Sequence, residues 1–376
     1  MSERRTTFLG REDANSIESI LADDAIDFGD LVHTQSVGGD AIFTWDYERT
    51  RPALSKLYEK AKDRKWKGND LPWETEVGLE AVALEMSGAV ADIRERLTDV
   101  DGSPMKTWGD REWTQFAIEA FNFRMSQFLH GEQGALVCTA KIVETVPWID
   151  AKYYAATQVM DEARHVEVFS RYLDTKLDGH YTVNPALQLL IDDVIADSRW
   201  DMTYLGMQIM IEGLALAAFG FMHAITNEPL LKQLLRYVLA DEARHVAFGV
   251  VSLKEFYEQL TGAEILERQE FAFEAAIRMR DRIIMHAVWD RMGIDRETIT
   301  RMLFELRRPG VNPFQAALFS KIVPNCKKLG LLDAGDGWLR ARFTEIGVID
   351  YEDSVDTEME YELLDAESAA SAASAP

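Results

Sequence analysis

Apolar residues recur at helical spacing through long stretches of this chain, and no set of alternating apolar and polar runs is present from which a sheet could be built. Proline and glycine divide these stretches. The pattern predicts long helices over Asp110 to Val146, Asp150 to Leu177, Pro185 to Asn227, Pro229 to Leu260 and Ala263 to Met292, with breaks at Pro147, Asp178-Gly179, Asn227 to Pro229 and Thr261-Gly262. Ala53 to Lys65, Val77 to Leu97 and shorter pieces after Arg296 also read as helices, whereas residues before about Asp40 give no clear pattern. The long helices far exceed the usual length of about 11 to 12 residues, which predicts an all-α bundle with extended axes. The expected organisation is an N-terminal helical extension at 1–100, a four-helix core at 101–262, C-terminal helices packed on it at 263–345, and an acidic, largely disordered tail at 346–376.

Composition narrows the partners. The 376 residues are 47% hydrophobic, enough for a large core, and the formal net charge is -24. Nucleic acid and anionic membrane surfaces need surplus Lys and Arg, so neither is expected. Much of the charge is local: ten Asp or Glu lie between Glu345 and Glu367, and no Lys or Arg follows Arg342. Cys138 and Cys326 are far apart and outside any CxxC spacing, which supports neither a disulfide framework nor an iron–sulfur cluster. The N-terminus, MSERRTTFLGRED, lacks the apolar core of a signal peptide, so a cytoplasmic location is expected. The run from Tyr204 to Ile225 is long enough for a membrane span but carries Glu212 at its centre and no basic flank. A buried core helix is expected there, not a span.

The chemistry lies in a repeat. The pentapeptide DEARH occurs at Asp161-Glu162-Ala163-Arg164-His165 and again at Asp241-Glu242-Ala243-Arg244-His245. Each copy holds an ExxH unit, which puts Glu162 with His165, and Glu242 with His245, on one helix face. Glu132 precedes Glu162 by 30 residues and Glu212 precedes Glu242 by 30, so the whole set repeats with an offset of 80. Glu132 and Glu212 both sit in apolar stretches, where an uncompensated carboxylate costs several kcal/mol. Four helices that each deliver a carboxylate, two of them with a histidine besides, match the ligand pattern of two-metal carboxylate bundles. Carboxylate oxygen and imidazole nitrogen suit iron or manganese. Asp161 and Asp241 are candidates to accept the free N–H of a metal-bound imidazole, and Arg164 and Arg244 to hold those aspartates ionised; ordinary inter-helix salt bridges are the other reading. Gln158 and Gln208, each one turn before a ligand glutamate, read either as hydrogen-bond donors to a ligand or a bound water, or as satisfied core amides.

These motifs resemble the ferritin-like di-iron carboxylate superfamily, in the branch that holds bacterial multicomponent monooxygenase hydroxylases, ribonucleotide reductase radical subunits and soluble acyl desaturases. The resemblance covers about Asp110 to Leu260. It implies a ferritin-like four-helix bundle with flanking helices, with Glu132, Glu162, His165, Glu212, Glu242 and His245 as catalytic metal ligands for two iron ions, or for a manganese–iron pair. Dioxygen would be the co-substrate. The sequence departs from the pattern twice: Phe169 stands where radical subunits typically carry tyrosine, and Ala215 and Leu216 stand where hydroxylases and desaturases often place a threonine. A more apolar oxygen pocket is expected. Gly206, Gly213 and Gly220 recur every seven residues, and serve either a cavity beside Glu212 or close helix packing. His130 points away from Glu132 by helical phase and reads as structural.

The leading functional expectation is an oxygenase that hydroxylates or N-oxygenates a small organic substrate. The alternatives are a desaturase or oxidase acting on a carrier-bound acyl chain, a radical-generating subunit, and a ferroxidase. The chain has no GxGxxG signature and no cysteine cluster, so electrons are expected from a separate ferredoxin or flavin reductase. A homodimer is implied by the resemblance alone.

Overall fold

The computed structural model describes residues 13–26, 32–63, 65–86, 90–306 and 313–354, and among them there are helices and no strands. Four short helices come first: α1 (Ile17–Asp24), α2 (Pro52–Asp63), α3 (Leu79–Met86) and α4 (Val90–Asp99). Next are α5 (Asp110–Thr145), α6 (Ile149–Lys176), α7 (Pro185–Ala196), α8 (Trp200–Tyr204), α9 (Glu212–Ile225) and α10 (Pro229–Tyr257). The chain continues through α11 (Gly262–Asp281), α12 (His286–Arg291), α13 (Arg296–Glu305), α14 (Pro313–Lys328) and α15 (Trp338–Glu345). Most of the expected acidic tail falls outside the described residues.

Local chemistry sets the ends of the long helices. Glu112 Oε2 accepts from Gly109 N (2.8 Å) at the start of α5, and Pro147 ends that helix one residue beyond Val146. The Glu228 carboxylate caps Leu230 and Leu231 ahead of Pro229 in α10, and Thr261 with Glu264 forms a capping box for α11. α5 packs along α6 and α9 along α10, each pair joined by a short connection. The two pairs enclose one apolar core, which α2, α3, α11 and α14 extend from outside. This is an all-α, ferritin-like four-helix bundle with flanking helices.

Three helices expected to be continuous are broken. The stretch Pro185 to Asn227 ends α7 at Ala196, because Asp197 Oδ1 accepts from Arg199 N (2.8 Å) in a turn that competes with the helix. The carbonyls this frees are not left bare: Lys141 Nζ, buried inside α5, donates to Val194 O (3.0 Å), Ile195 O (2.9 Å) and Asp197 O (2.5 Å). Within the same stretch Leu205–Ile211 forms a π-turn, so that Glu212 donates its N–H to Met207 O. The second break splits Ala263 to Met292 at Arg282–Ile284, a 3₁₀ turn followed by Met285 in the left-handed region (φ 58°, ψ 48°). The expected helix at Val77 to Leu97 is likewise two, α3 and α4, with 87–89 outside the described residues. The membrane-length run is a core helix, as expected: nearly every residue of Trp200–Ile225 is buried or half-buried in the bundle.

Candidate metal centre

All six ExxH and upstream residues meet at mid-bundle, one helix each supplying Glu132 (α5), Glu162 with His165 (α6), Glu212 (the end of the π-turn, at the start of α9) and Glu242 with His245 (α10). None is more than 4% exposed. The two ExxH glutamates sit between the histidines. Glu162 turns Oε2 to His165 Nδ1 (3.4 Å) and Oε1 to His245 Nδ1 (3.1 Å), while Glu242 turns Oε1 to His165 Nδ1 (3.2 Å) and Oε2 to His245 Nδ1 (3.6 Å). Glu132 reaches only His165 (3.2 Å), and Glu212 only His245 (3.5 Å). The result is two half-sites, Glu132/His165 and Glu212/His245, sharing Glu162 and Glu242.

These groups fit a pair of cations. Glu162 Oε2, Glu212 Oε2, both Glu242 oxygens and His245 Nδ1 are buried with no hydrogen-bond partner, which native cores avoid. Without a cation the charges must be managed by protons. Burial, then the Glu242 charge, pushes Glu132 well above the ordinary carboxylate range; burial does the same to Glu212, against the pull of His245. Burial also acts to raise Glu162 and to lower both histidines, but proximity reverses each: His245 and His165 hold Glu162 low, Glu132 raises His165, and Glu162 raises His245. Cys138 belongs to neither group of converging ligand atoms, and burial pushes its thiol up to about 12.

Behind the histidines the two repeats cross over. His165 Nε2 meets Asp241 Oδ2 (3.1 Å) and His245 Nε2 meets Asp161 Oδ2 (3.5 Å), so each imidazole is backed by the aspartate of the other DEARH copy. Arg164 spans Asp161 and Asp241 (2.9 Å to the latter), and Arg244 bonds Asp241 and lies 3.6 Å from Asp161. The helix-joining ion pairs and the histidine supports are therefore the same residues. Asp241 has one partner that Asp161 lacks: Trp66 Nε1 donates to its Oδ2 (2.8 Å). The Trp66 ring stacks on His165 and lies under the Arg164 guanidinium. Sequence reading missed Trp66, an aromatic of the N-terminal extension with no periodic signal. What places it is Gly68, where a Cβ would come within 2.9 Å of Val168 Cγ1 on α6.

The two glutamines donate to the clustered carboxylates. Gln158 Nε2 reaches Glu162 Oε1 (3.0 Å), Glu212 Oε1 (2.7 Å) and Gln208 Oε1 (3.2 Å), while Gln208 Nε2 returns to Gln158 Oε1 (3.1 Å) and lies 3.5 Å from Glu212 Oε1. At the 80-residue offset their counterparts are Val238 and Phe128, so only the Glu212/His245 half has amide support. Gly249 allows it: a Cβ there would lie 2.4 Å from Gln208 Cβ. Gly249→Ala is expected to push the π-turn outward, lowering stability by about 1–3 kcal/mol and weakening metal binding. Thermal unfolding with a chelator titration checks this; wild-type values in both would show that the close approach is dispensable.

A small cavity opens on Glu132, Glu212 and Glu242, with apolar walls from Phe128, Leu214, Ala215 and Phe219. It is small, with room for one or two water-sized molecules. Phe169 packs against Phe128 and Phe219 behind that wall. Ala215 makes the wall apolar, as expected from its departure from threonine. Of the glycine stripe, Gly206 is a close-packing site (Val194 Cγ2 at 2.3 Å from a Cβ), whereas a Cβ on Gly213 would enter open space; none of the three lines the cavity on Glu132, Glu212 and Glu242. His130 is structural in its geometry, bonding Tyr181 O (2.8 Å).

No protein-family model and no curated protein sequence matches the chain. Among solved structures it is similar to R2-like ligand-binding oxidase. A point mutant of that oxidase with an anaerobically reconstituted Mn/Fe cofactor is 17% identical, covering 69% of this chain and 92% of that one with a TM-score of 0.45. The same oxidase with an aerobically reconstituted metal cofactor after photoconversion is 15% identical, with the same coverage and TM-score. These likenesses are distant in sequence and partial in shape. The class is defined by the chain's own fold and site: a four-helix carboxylate bundle whose centre fits two metal ions.

Proposed function

We propose that this chain is a non-haem di-iron oxidoreductase that activates dioxygen to hydroxylate or N-oxygenate a small organic substrate. One observation supports the reading above the others. Two carboxylates are shared between two histidines, with orphaned oxygens facing an apolar cavity, so a redox-active metal pair there would be open to a small ligand on that side. Two iron ions fit the donor set, as does a manganese–iron pair. Bound metals would pass to dioxygen the electrons that an outside donor provides.

The chain's own residues would do the rest. Glu162 and Glu242 hold the pair together, Glu132 and Glu212 complete its two ends on the cavity side, and the Gln158–Gln208 amides fix the Glu212 carboxylate in place. Asp241 and Asp161 orient the imidazoles from behind. Phe128, Ala215 and Phe219 exclude bulk water from the side where dioxygen and substrate would meet. Phe169, with no hydroxyl to oxidise, favours oxygenation over a stored tyrosyl radical.

Electrons would come from a separate ferredoxin or flavin reductase. The exposed Phe43, Trp45 and Tyr47 of the N-terminal extension support a homodimer, and the burial of the apolar helix supports a soluble protein. The test is anaerobic loading with ferrous iron, reduction, and admission of dioxygen while oxygen uptake and absorbance are followed. Uptake that depends on about two bound irons per chain is expected, together with a transient absorption that decays faster with substrate. Tight two-metal loading without any oxygen uptake would defeat the proposal.

A further inference from the structure

One short stretch reverses the charge of the chain. Between Lys56 and Lys67 there are six Lys or Arg and two Asp or Glu, in a protein whose net charge is -24. Leu54, Leu57 and Ala61 anchor α2 on the bundle, which turns Lys56 and Lys62 outward. Beyond α2, Lys65 and Lys67 are exposed on either side of Trp66. Arg236 of α10 joins them: it is exposed, and its guanidinium lies 5.6 Å from the centre of the Tyr237 ring, on which Trp66 stacks at 5.2 Å. Lys65, Lys67 and Arg236 pair with no carboxylate among the described residues, whereas Glu59 is already taken up by Lys62 (2.5 Å) and Arg49 (3.5 Å). Unpaired surface cations clustered on an acidic protein attract an acidic partner to that one face.

The patch also lies over the metal centre. Trp66 is half-buried; its Nε1 donates to Asp241 Oδ2 and its ring centre is 6.3 Å from that of His165. A protein seated on Lys65 and Lys67 is therefore separated from His165 by little more than one indole. Arg164 and Arg244, also close to the centre, offer such a partner nothing, because both are buried and held by Asp161 and Asp241. Contacts steered by charge over a small area form and separate quickly, which suits a donor that must leave to be reduced again. A resident reductase subunit would need a larger and more apolar face.

We infer that the surface formed by Lys65, Lys67 and Arg236 is the docking site of a small acidic electron-transfer protein of the ferredoxin kind. This rests on the oxidase reading proposed above and says where its electrons enter. Each encounter moves one electron from the donor's iron–sulfur cluster, which is oxidised, to the metal pair, which is reduced. Two encounters supply the two electrons of one oxygenation, in which one oxygen atom enters the substrate and the other leaves, with two protons, as water.

The test is calorimetric binding of a plant-type [2Fe–2S] ferredoxin to the full metal-free chain. Binding is expected at about 20 mM salt and should weaken tenfold or more by about 200 mM. Reversing the patch, with Lys65→Glu, Lys67→Glu and Arg236→Glu together, should weaken low-salt binding at least tenfold while folding temperature and Mn²⁺ loading stay at wild-type values. Lys65→Gln with Lys67→Gln should lose part of it. A control of equal charge, Lys106→Glu, Arg111→Glu and Arg301→Glu, alters exposed residues of other elements and should bind as wild type does. No binding at low salt, binding indifferent to salt or to the patch reversal, or an equal loss in the control overturns the inference. So does equally tight binding of phosphatidylserine vesicles or duplex DNA, which would make the patch a general polyanion site. Iron-loaded protein that consumes oxygen with dithionite but is not reduced by ferredoxin overturns this inference alone. Failure to load metal or to consume oxygen with dithionite sinks the oxidase reading and leaves the metal-free binding comparison standing.

Discussion

Glu162→Ala is expected to abolish binding of the metal pair, whereas Glu132→Ala is expected to lose about one ion of two. The difference follows from position. Glu162 presents one oxygen to each half-site, at 3.4 Å from His165 Nδ1 and 3.1 Å from His245 Nδ1, so its removal strips a ligand from both. It also leaves Gln158 without one of its acceptors and opens the space between the histidines. Glu132 approaches His165 alone, so its loss leaves the Glu212/His245 half with both shared carboxylates and its amide support. The fold should survive either change, because each leaves the apolar core of the bundle intact. Metal analysis after gel filtration, with far-UV dichroism as the control, reads the outcome. If Glu162→Ala holds as much iron as wild type, the assignment of the centre is wrong.

The second large effect concerns pH. In the metal-free protein Glu132 and Glu212 have folded pKa values well above their ordinary 4.5, so the unfolded chain releases protons that the folded one keeps. Their contribution to stability is fully present below about pH 4.5 and is lost as pH rises through the folded values. His165 and His245 are raised above 6.5, and their contribution is likewise lost as pH rises. Glu162 and Asp241 are held low, so they stabilise above their unfolded values and lose that contribution only in acid. Metal-free protein should therefore be most stable near pH 5 to 6 and weaken toward pH 8.5. Metal ions displace the same protons, so stabilisation by Mn²⁺ should grow with pH and reach about 2.7 kcal/mol per site at a hundredfold excess over Kd. Thermal unfolding at pH 5.5, 7 and 8.5, with chelator or with Mn²⁺, separates the cases. A metal-free protein that gains stability steadily from pH 6 to 8.5 would contradict the coupling.

Much of the centre was legible in the sequence because its ligands obey helix geometry. ExxH puts two donors on one face wherever a helix forms, and the repeated spacing of Glu132 to Glu162 and Glu212 to Glu242 brings the four carboxylates together once the helices pair. Apolar periodicity and capping residues fixed the all-α class and most helix ends for the same local reason. What the sequence alone did not decide depends on approach between elements distant along the chain. The break at Asp197 needs Lys141 from α5 to satisfy the freed carbonyls, and the π-turn before Glu212 needs Gly249 on α10 to make room. The crossing of Asp241 to His165 and Asp161 to His245, and the arrival of Trp66, have no periodic signature. Spacing determines which groups share a face; only packing determines which groups on different faces touch, and that decided how the half-sites differ.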